Sequence, residues 1–236
     1  MKAHSHFKRL KESFLASAGD VVFGMEDGTV SIFGLVFGVA ATTDHRSTVL
    51  IAGASGAVAA AVSMMAGTYL DVETRRDEAK AASARMKSDV ERDPAAVLER
   101  VTARFSTAGL SPEKAGSLKA WLSSDPASLQ SVATALDKSE APDQSQGPLA
   151  QSLWMLLADF LAAAIPILPF ALLPLAEGRV VSGAVTLLLL IGLGIGRGWI
   201  GGRSIPRTVV ETVTIGVAAA LAGVAIGTLM ARAFGE

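Results

Sequence analysis

Asp20-Val-Val-Phe-Gly-Met-Glu-Asp-Gly-Thr-Val-Ser-Ile-Phe-Gly-Leu-Val-Phe-Gly38 reads as a membrane-crossing helix that carries two adjacent acids, Glu26 and Asp27. Crossing the hydrocarbon core takes about 20 predominantly apolar residues, and the apolar run here covers residues 21–42. Backbone in lipid has no water to bond, so it must satisfy itself as a helix. Four further runs have comparable character, at residues 49–72, 153–176, 180–195 and 208–233. Five such runs in 236 residues weigh against the alternative, buried core helices of a large soluble protein. The predicted fold class is therefore an all-α membrane protein with five transmembrane helices.

Composition agrees. Half the residues are hydrophobic, and the mean hydropathy is +0.44, too apolar for an ordinary soluble domain of this size. A net charge of -1 gives no reason to expect nucleic acid as a partner. With no cysteine, disulfides, thiolate metal sites and thiol catalysis are excluded.

The N-terminal segment is basic, with Lys2, Lys8, Arg9 and Lys11. It has the look of a signal-peptide n-region, but the helix behind it is too long and holds Glu26 and Asp27, so it is read as a retained first span. The positive-inside rule then puts the N-terminus in the cytoplasm. Arg197, Arg203 and Arg207 fall in an inner loop between the last two spans, and the C-terminus ends outside. The compact chain and short tails suggest a bacterial inner membrane.

The expected domains are 1–72 (tail and first two spans), 73–150 (a small helical cytoplasmic insert and linker) and 151–236 (last three spans). Within the insert, Asp93-Pro94 forms an N-cap and first helical position. Val97, Leu98, Val101 and Phe105 follow at helical spacing and Gly109 closes the helix. Ser111-Pro112-Glu113 opens another, and residues 139–147 are a linker. About three helices are expected. A domain this short is marginal alone and calls for a partner copy. Gly34-x-x-x-Gly38 and Gly223-x-x-x-Gly227 are small-residue contact patterns that fit a seam within one chain or between two.

Ionisable groups inside spans are costly and default to functional hypotheses. Glu26, Asp27 and Asp159 qualify; Glu211 reads better as an interfacial residue near Arg207. Asp27-Gly28 joins a hard oxygen ligand to a residue that admits close approach. Met64 and Met65 supply thioethers, soft ligands suited to transition metals, although taken alone they read better as gap-fillers in a helix interface. The candidate metal ligands are Asp27, Met64, Glu26, Met65 and Asp159. Gly192-Leu-Gly194-Ile-Gly196 follows no strand and is not a dinucleotide loop. His4 and His6 belong to a polar tail. No catalytic constellation appears, so an enzyme is not expected, nor any resident cofactor.

The first span quoted above, the second with Ala61-Val-Ser-Met-Met-Ala-Gly-Thr-Tyr-Leu-Asp-Val72 ahead of Glu73-Thr-Arg-Arg76, and the third with Ile165-Pro-Ile-Leu-Pro-Phe170 together resemble the vacuolar iron transporter family. The likeness is specific in the first two spans and looser in the last two. It implies a homodimer that exports ferrous iron or manganese from the cytoplasm in exchange for protons, with Asp27 and Met64 on the pathway. The insert departs from the family pattern. Where the family carries glutamates on two helices flanking the Asp-Pro, this chain has Met86, Asp89, Val97 and Arg100, and Thr68 stands where the second span usually has glutamate. The resemblance thus implies a degraded metal store. Glu26 and Asp159 are membrane carboxylates beyond the family motif, and the expectation drawn from them is that they replace ligands lost elsewhere. The alternative reading is a membrane-anchored metal sensor or scaffold that has lost transport.

Overall fold

The computed structural model describes Ser13, residues 17–137 and residues 147–234. The basic tail with His4 and His6, and all but the last residue of the expected linker, lie outside the described residues. Among the described residues there are eight helices and no strand. In chain order they are α1 (Ala18–Ala40), α2 (Arg46–Arg92), α3 (Pro94–Thr107), α4 (Pro112–Ser124), α5 (Pro126–Asp137), α6 (Pro148–Leu172), α7 (Leu175–Ile200) and α8 (Ile205–Phe234). Five of them, α1, α2, α6, α7 and α8, are long and apolar enough to cross a membrane.

Three bounds differ from the sequence reading, each for a local reason. The run expected over 153–176 stops at Leu172, because Pro174 forces the residue before it into extended backbone, with Leu173 at φ -120 and ψ 160. The next helix starts at Leu175, not 180, and runs to Ile200, which puts Arg197 inside α7 and not in a loop. The second span does not end at 72. Its helix continues to Arg92 because residues 73–92 are rich in Ala, Glu, Lys and Arg, good helix formers. Pairs one turn apart support it, Asp71–Arg75 at 3.0 Å and Asp77–Lys80 at 2.9 Å.

The chain divides into two compact units, Met1–Leu70 with Ser145–Glu236, and Asp71–Gln144. In the first, α1 is the hub and packs along α6, α7 and α8. Its glycines make this possible. Gly34 lies against the Ala219 carbonyl and Gly38 against the Gly223 carbonyl, while Gly223 and Gly227 press on the carbonyls of Gly34 and Gly38. The two small-residue patterns therefore meet each other within one chain. The first turns of α2 join through Val49 and Ala57, buried with Ile32 and Val36 of α1 and Ala163 and Phe170 of α6. Arg179 of α7 donates from Nη2 to the carbonyls of Ala40 and Thr43, placing a cation at the negative C-terminal end of α1.

In the second unit, α3, α4 and α5 enclose Val97, Leu98, Val101, Leu122, Leu129 and Ala133 together with Met86 and Val90 of α2. Asp93 caps α3 by accepting from the Ala96 N–H at 3.0 Å. Gly109 takes φ +96 in the turn that follows, a conformation other residues rarely adopt.

Candidate cation site

Successive residues of a helix point about 100° apart, so Glu26, Asp27 and Gly28 of α1 face three different neighbours. Glu26 turns inward and its side chain is 12% exposed. Its Oε1 accepts from Arg197 Nη1 of α7 at 3.2 Å and from Thr212 Oγ1 of α8 at 2.8 Å. Asp27 borders an open cleft of about 420 Å³, whose walls include Val22, Phe23, Val30, Arg197 and Ile215. Among the described residues no hydrogen bond or ion pair reaches the Asp27 carboxylate.

Gly28 faces α6. A Cβ added there would lie 2.8 Å from Asp159 Oδ1 and closer still to the Asp159 backbone carbonyl. Asp159 is 0% exposed, and neither carboxylate oxygen has a hydrogen-bond partner among the described residues. Asp27 is the residue before Gly28 and so stands next to the point where α1 meets Asp159. One turn earlier on α6, Met155 is also buried, its sulfur 2.5 Å from where a Cβ on Gly24 would sit. Gly24 and Gly28 thus form a trough on α1 that receives Met155 and Asp159.

Of the five expected ligands, then, Glu26 and Asp27 share one cleft, and Asp159 stands behind Gly28. Met64 and Met65 lie half-buried on α2, and neither lines the cleft. Beyond Ala57, α2 leaves Val58, Val62, Tyr69 and Leu70 exposed. Glu211 pairs with Arg203 and Arg207, as its interfacial reading anticipates. Sequence reasoning missed three residues. Arg197 was read as loop charge, although an acid inside a span calls for a cation. Thr212 gave no signal. Met155 was legible in principle, four residues before Asp159 and so on the same helix face.

In the insert, Met86 is 7% exposed and Val97 2%, and both sit in its apolar core. Asp89 pairs with Arg92 at 2.9 Å, and Arg100 is exposed. Two of the positions at which the family resemblance expects ligating glutamates serve here to hold the insert together.

The VIT family pattern matches residues 18–228 of this chain. Similar proteins include the vacuolar iron transporter 1 of Arabidopsis thaliana, 27% identical over 205 residues, 86% of this chain and 82% of the relative. The vacuolar iron transporter 1 of Eucalyptus grandis is 26% identical over 208 residues, with 86% and 82% covered. That of Oryza sativa subsp. japonica is 25% identical over 224 residues, with 93% and 88% covered.

Proposed function

This chain belongs to the VIT family, and from that premise we propose that it carries ferrous iron or manganese across a membrane, out of the cytoplasm, in exchange for protons. The observation that supports the reading is Asp27, a carboxylate inside an apolar helix that opens on a cleft and has no partner among the described residues, while its neighbour Glu26 is already paired. The names of the plant relatives support iron as cargo.

The chemistry follows from the donors. Asp27 offers a hard, charged oxygen to a divalent cation. Met64 and Met65 add thioethers that favour transition metals over magnesium. Because neither methionine lines the cleft of its own chain, a homodimer closing over the exposed face of α2 brings the methionines and Asp27 into one path. Glu26 becomes a ligand by exchanging Arg197 for the cation, and Asp159 holds a further carboxylate behind Gly28. A coordinating carboxylate must give up its proton, so protons and metal compete for the same oxygens. Protons arriving from the far side release the metal, which is a physical route to antiport. The basic N-terminal segment supports a cytoplasmic N-terminus and insert with the C-terminus outside, and the membrane in this reading is a bacterial inner membrane. The metal is substrate; no resident cofactor or nucleic acid is involved.

The test is metal uptake into vesicles containing the reconstituted protein, with Fe2+, Mn2+ and Mg2+ across a pH gradient. Uptake of the first two, lost in Asp27→Asn, supports the proposal; flux equal to that of protein-free vesicles overturns it. A silent protein that still binds metal fits the second reading, a membrane-anchored sensor or scaffold, which the apolar Met86 and Val97 of the insert favour.

A further inference from the structure

We propose that Met155 and Asp159 form an inner subsite for a dehydrated divalent transition metal, enclosed in the seam between α1 and α6 and separate from the open cleft at Asp27. The inference deepens the transport reading and rests on it for its place in the path, but the binding it asserts is measurable without transport.

Asp159 carries the argument. Its carboxylate is wholly buried and among the described residues both oxygens are unbonded, a costly arrangement for a group that in folded proteins is paired or coordinated. The charged groups near it do not meet the need. Asp27 is another acid. Arg197 is committed to Glu26, and Arg179 lies at the other end of α1, on the carbonyls of Ala40 and Thr43. Among the described residues no cation reaches this carboxylate, and a bound metal ion would supply one.

The second donor is Met155, buried on the same face of α6 one turn earlier. Gap-filling is the ordinary use of a buried methionine, but it leaves the unbonded carboxylate beside it unexplained. The facing wall is the Gly24 and Gly28 trough, where any side chain would collide with the Met155 sulfur and the Asp159 carboxylate. One hard oxygen donor and one soft sulfur donor suit iron or manganese. Magnesium keeps its waters and demands an octahedral oxygen shell, which one carboxylate and one thioether do not supply. With Asp27 at the cleft and Asp159 behind Gly28, a cation meets first a hydrated acid and then a dry one.

The test uses the full chain purified in detergent and reads equilibrium binding of Fe2+ under anaerobic conditions, Mn2+ and Mg2+, alongside vesicle flux. Asp159→Asn keeps the shape and removes the charge; it should weaken Fe2+ and Mn2+ binding by about tenfold or more, the scale on which loss of a metal-site partner acts. Met155→Leu keeps the volume and should lower the preference for Fe2+ over Mg2+ while thermal unfolding is unchanged. Asp27→Asn should lose flux yet still bind metal. Wild-type affinity and selectivity in both Asp159→Asn and Met155→Leu overturn the subsite and leave the transport reading standing. Binding that depends on Asp159 in a protein with no flux supports the subsite and removes the transport reading.

Discussion

Arg197 of α7 meets Glu26 of α1 at 3.2 Å, across the cleft that Asp27 borders. Thr212 of α8 bonds the same carboxylate oxygen at 2.8 Å, so three helices converge on one atom. A charge inside an apolar bundle is tolerable when a cation and a hydroxyl share its field. Arg197→Gln leaves Glu26 without its cation and should cost about 1–3 kcal/mol, the penalty for orphaning a largely buried polar group. Adding Glu26→Gln should recover most of that loss, because two neutral amides can bond each other. Thermal unfolding of both single variants and the double variant in detergent reads the coupling; additive losses would show that the pair does not hold these helices together.

Gly28→Ala drives a methyl group into the Asp159 carbonyl and carboxylate, both of which belong to a packed neighbouring helix. Backbone cannot swing aside as a long side chain can, so α1 and α6 must separate, and overpacking of this kind costs about 1–3 kcal/mol. Gly19→Ala, on the same helix with nothing within 4 Å of its added carbon, should be neutral or gain up to about 1 kcal/mol from helix propensity. Equal effects of the two substitutions on the unfolding temperature would contradict the close seam.

How far the sequence revealed this molecule depends on the range of the interaction that fixes each feature. The five long helices were legible because an apolar run of spanning length has few other uses. The end of α2 was not, since residues 73–92 stop being apolar without ceasing to favour helix. Arg197 was misplaced because the glycines around it imitate a loop, and only the pairing with Glu26 shows why the helix carries it onward. The two small-residue patterns declared that helices touch but not which ones; that α1 meets α8 is a matter of register between helices. The same limit hid the site's inner half. Asp159 was singled out as a membrane acid, but its position against Gly28 and beside Met155 depends on how α6 slides along α1. Asp27 and its cleft were half legible, the acid from its place in a span and the cleft only from the packing of α7 and α8.

Asp125 opens α5 and supplies a pH test outside the spans. Its carboxylate accepts from the Ser128 hydroxyl at 2.6 Å and from the Ala127 N–H at 3.0 Å. These bonds, the Ser128 hydroxyl first, hold the Asp125 carboxyl below its ordinary value of 3.8. A group whose folded value is depressed stabilises fully above its unfolded value and loses that contribution as pH falls through the folded one. Amide protection over Pro126–Asp137 should therefore exceed that of Asp125→Ala at neutral pH, and the difference should shrink below about pH 4. A difference that persists unchanged into stronger acid would mean the cap works without its charge.

Met86→Glu with Val97→Glu returns acids to two positions at which the family resemblance expects them, and the packing predicts that the insert will lose its fold before it gains a metal store. Both side chains lie in the core formed with Leu98, Val101, Leu122 and Leu129. Burying an unpaired carboxylate where a methionine or valine sat should cost about 2–4 kcal/mol at each position, a large share of what three short helices can supply. Arg100, at a third of those positions, is an exposed cation and would have to be replaced as well. The double variant should be cleaved within residues 71–144 by concentrations of protease that spare the wild type, with no increase in metal bound per chain. A protease-resistant double variant that binds additional Fe2+ would show that the insert keeps the architecture of a metal store and that two apolar side chains are all that silences it.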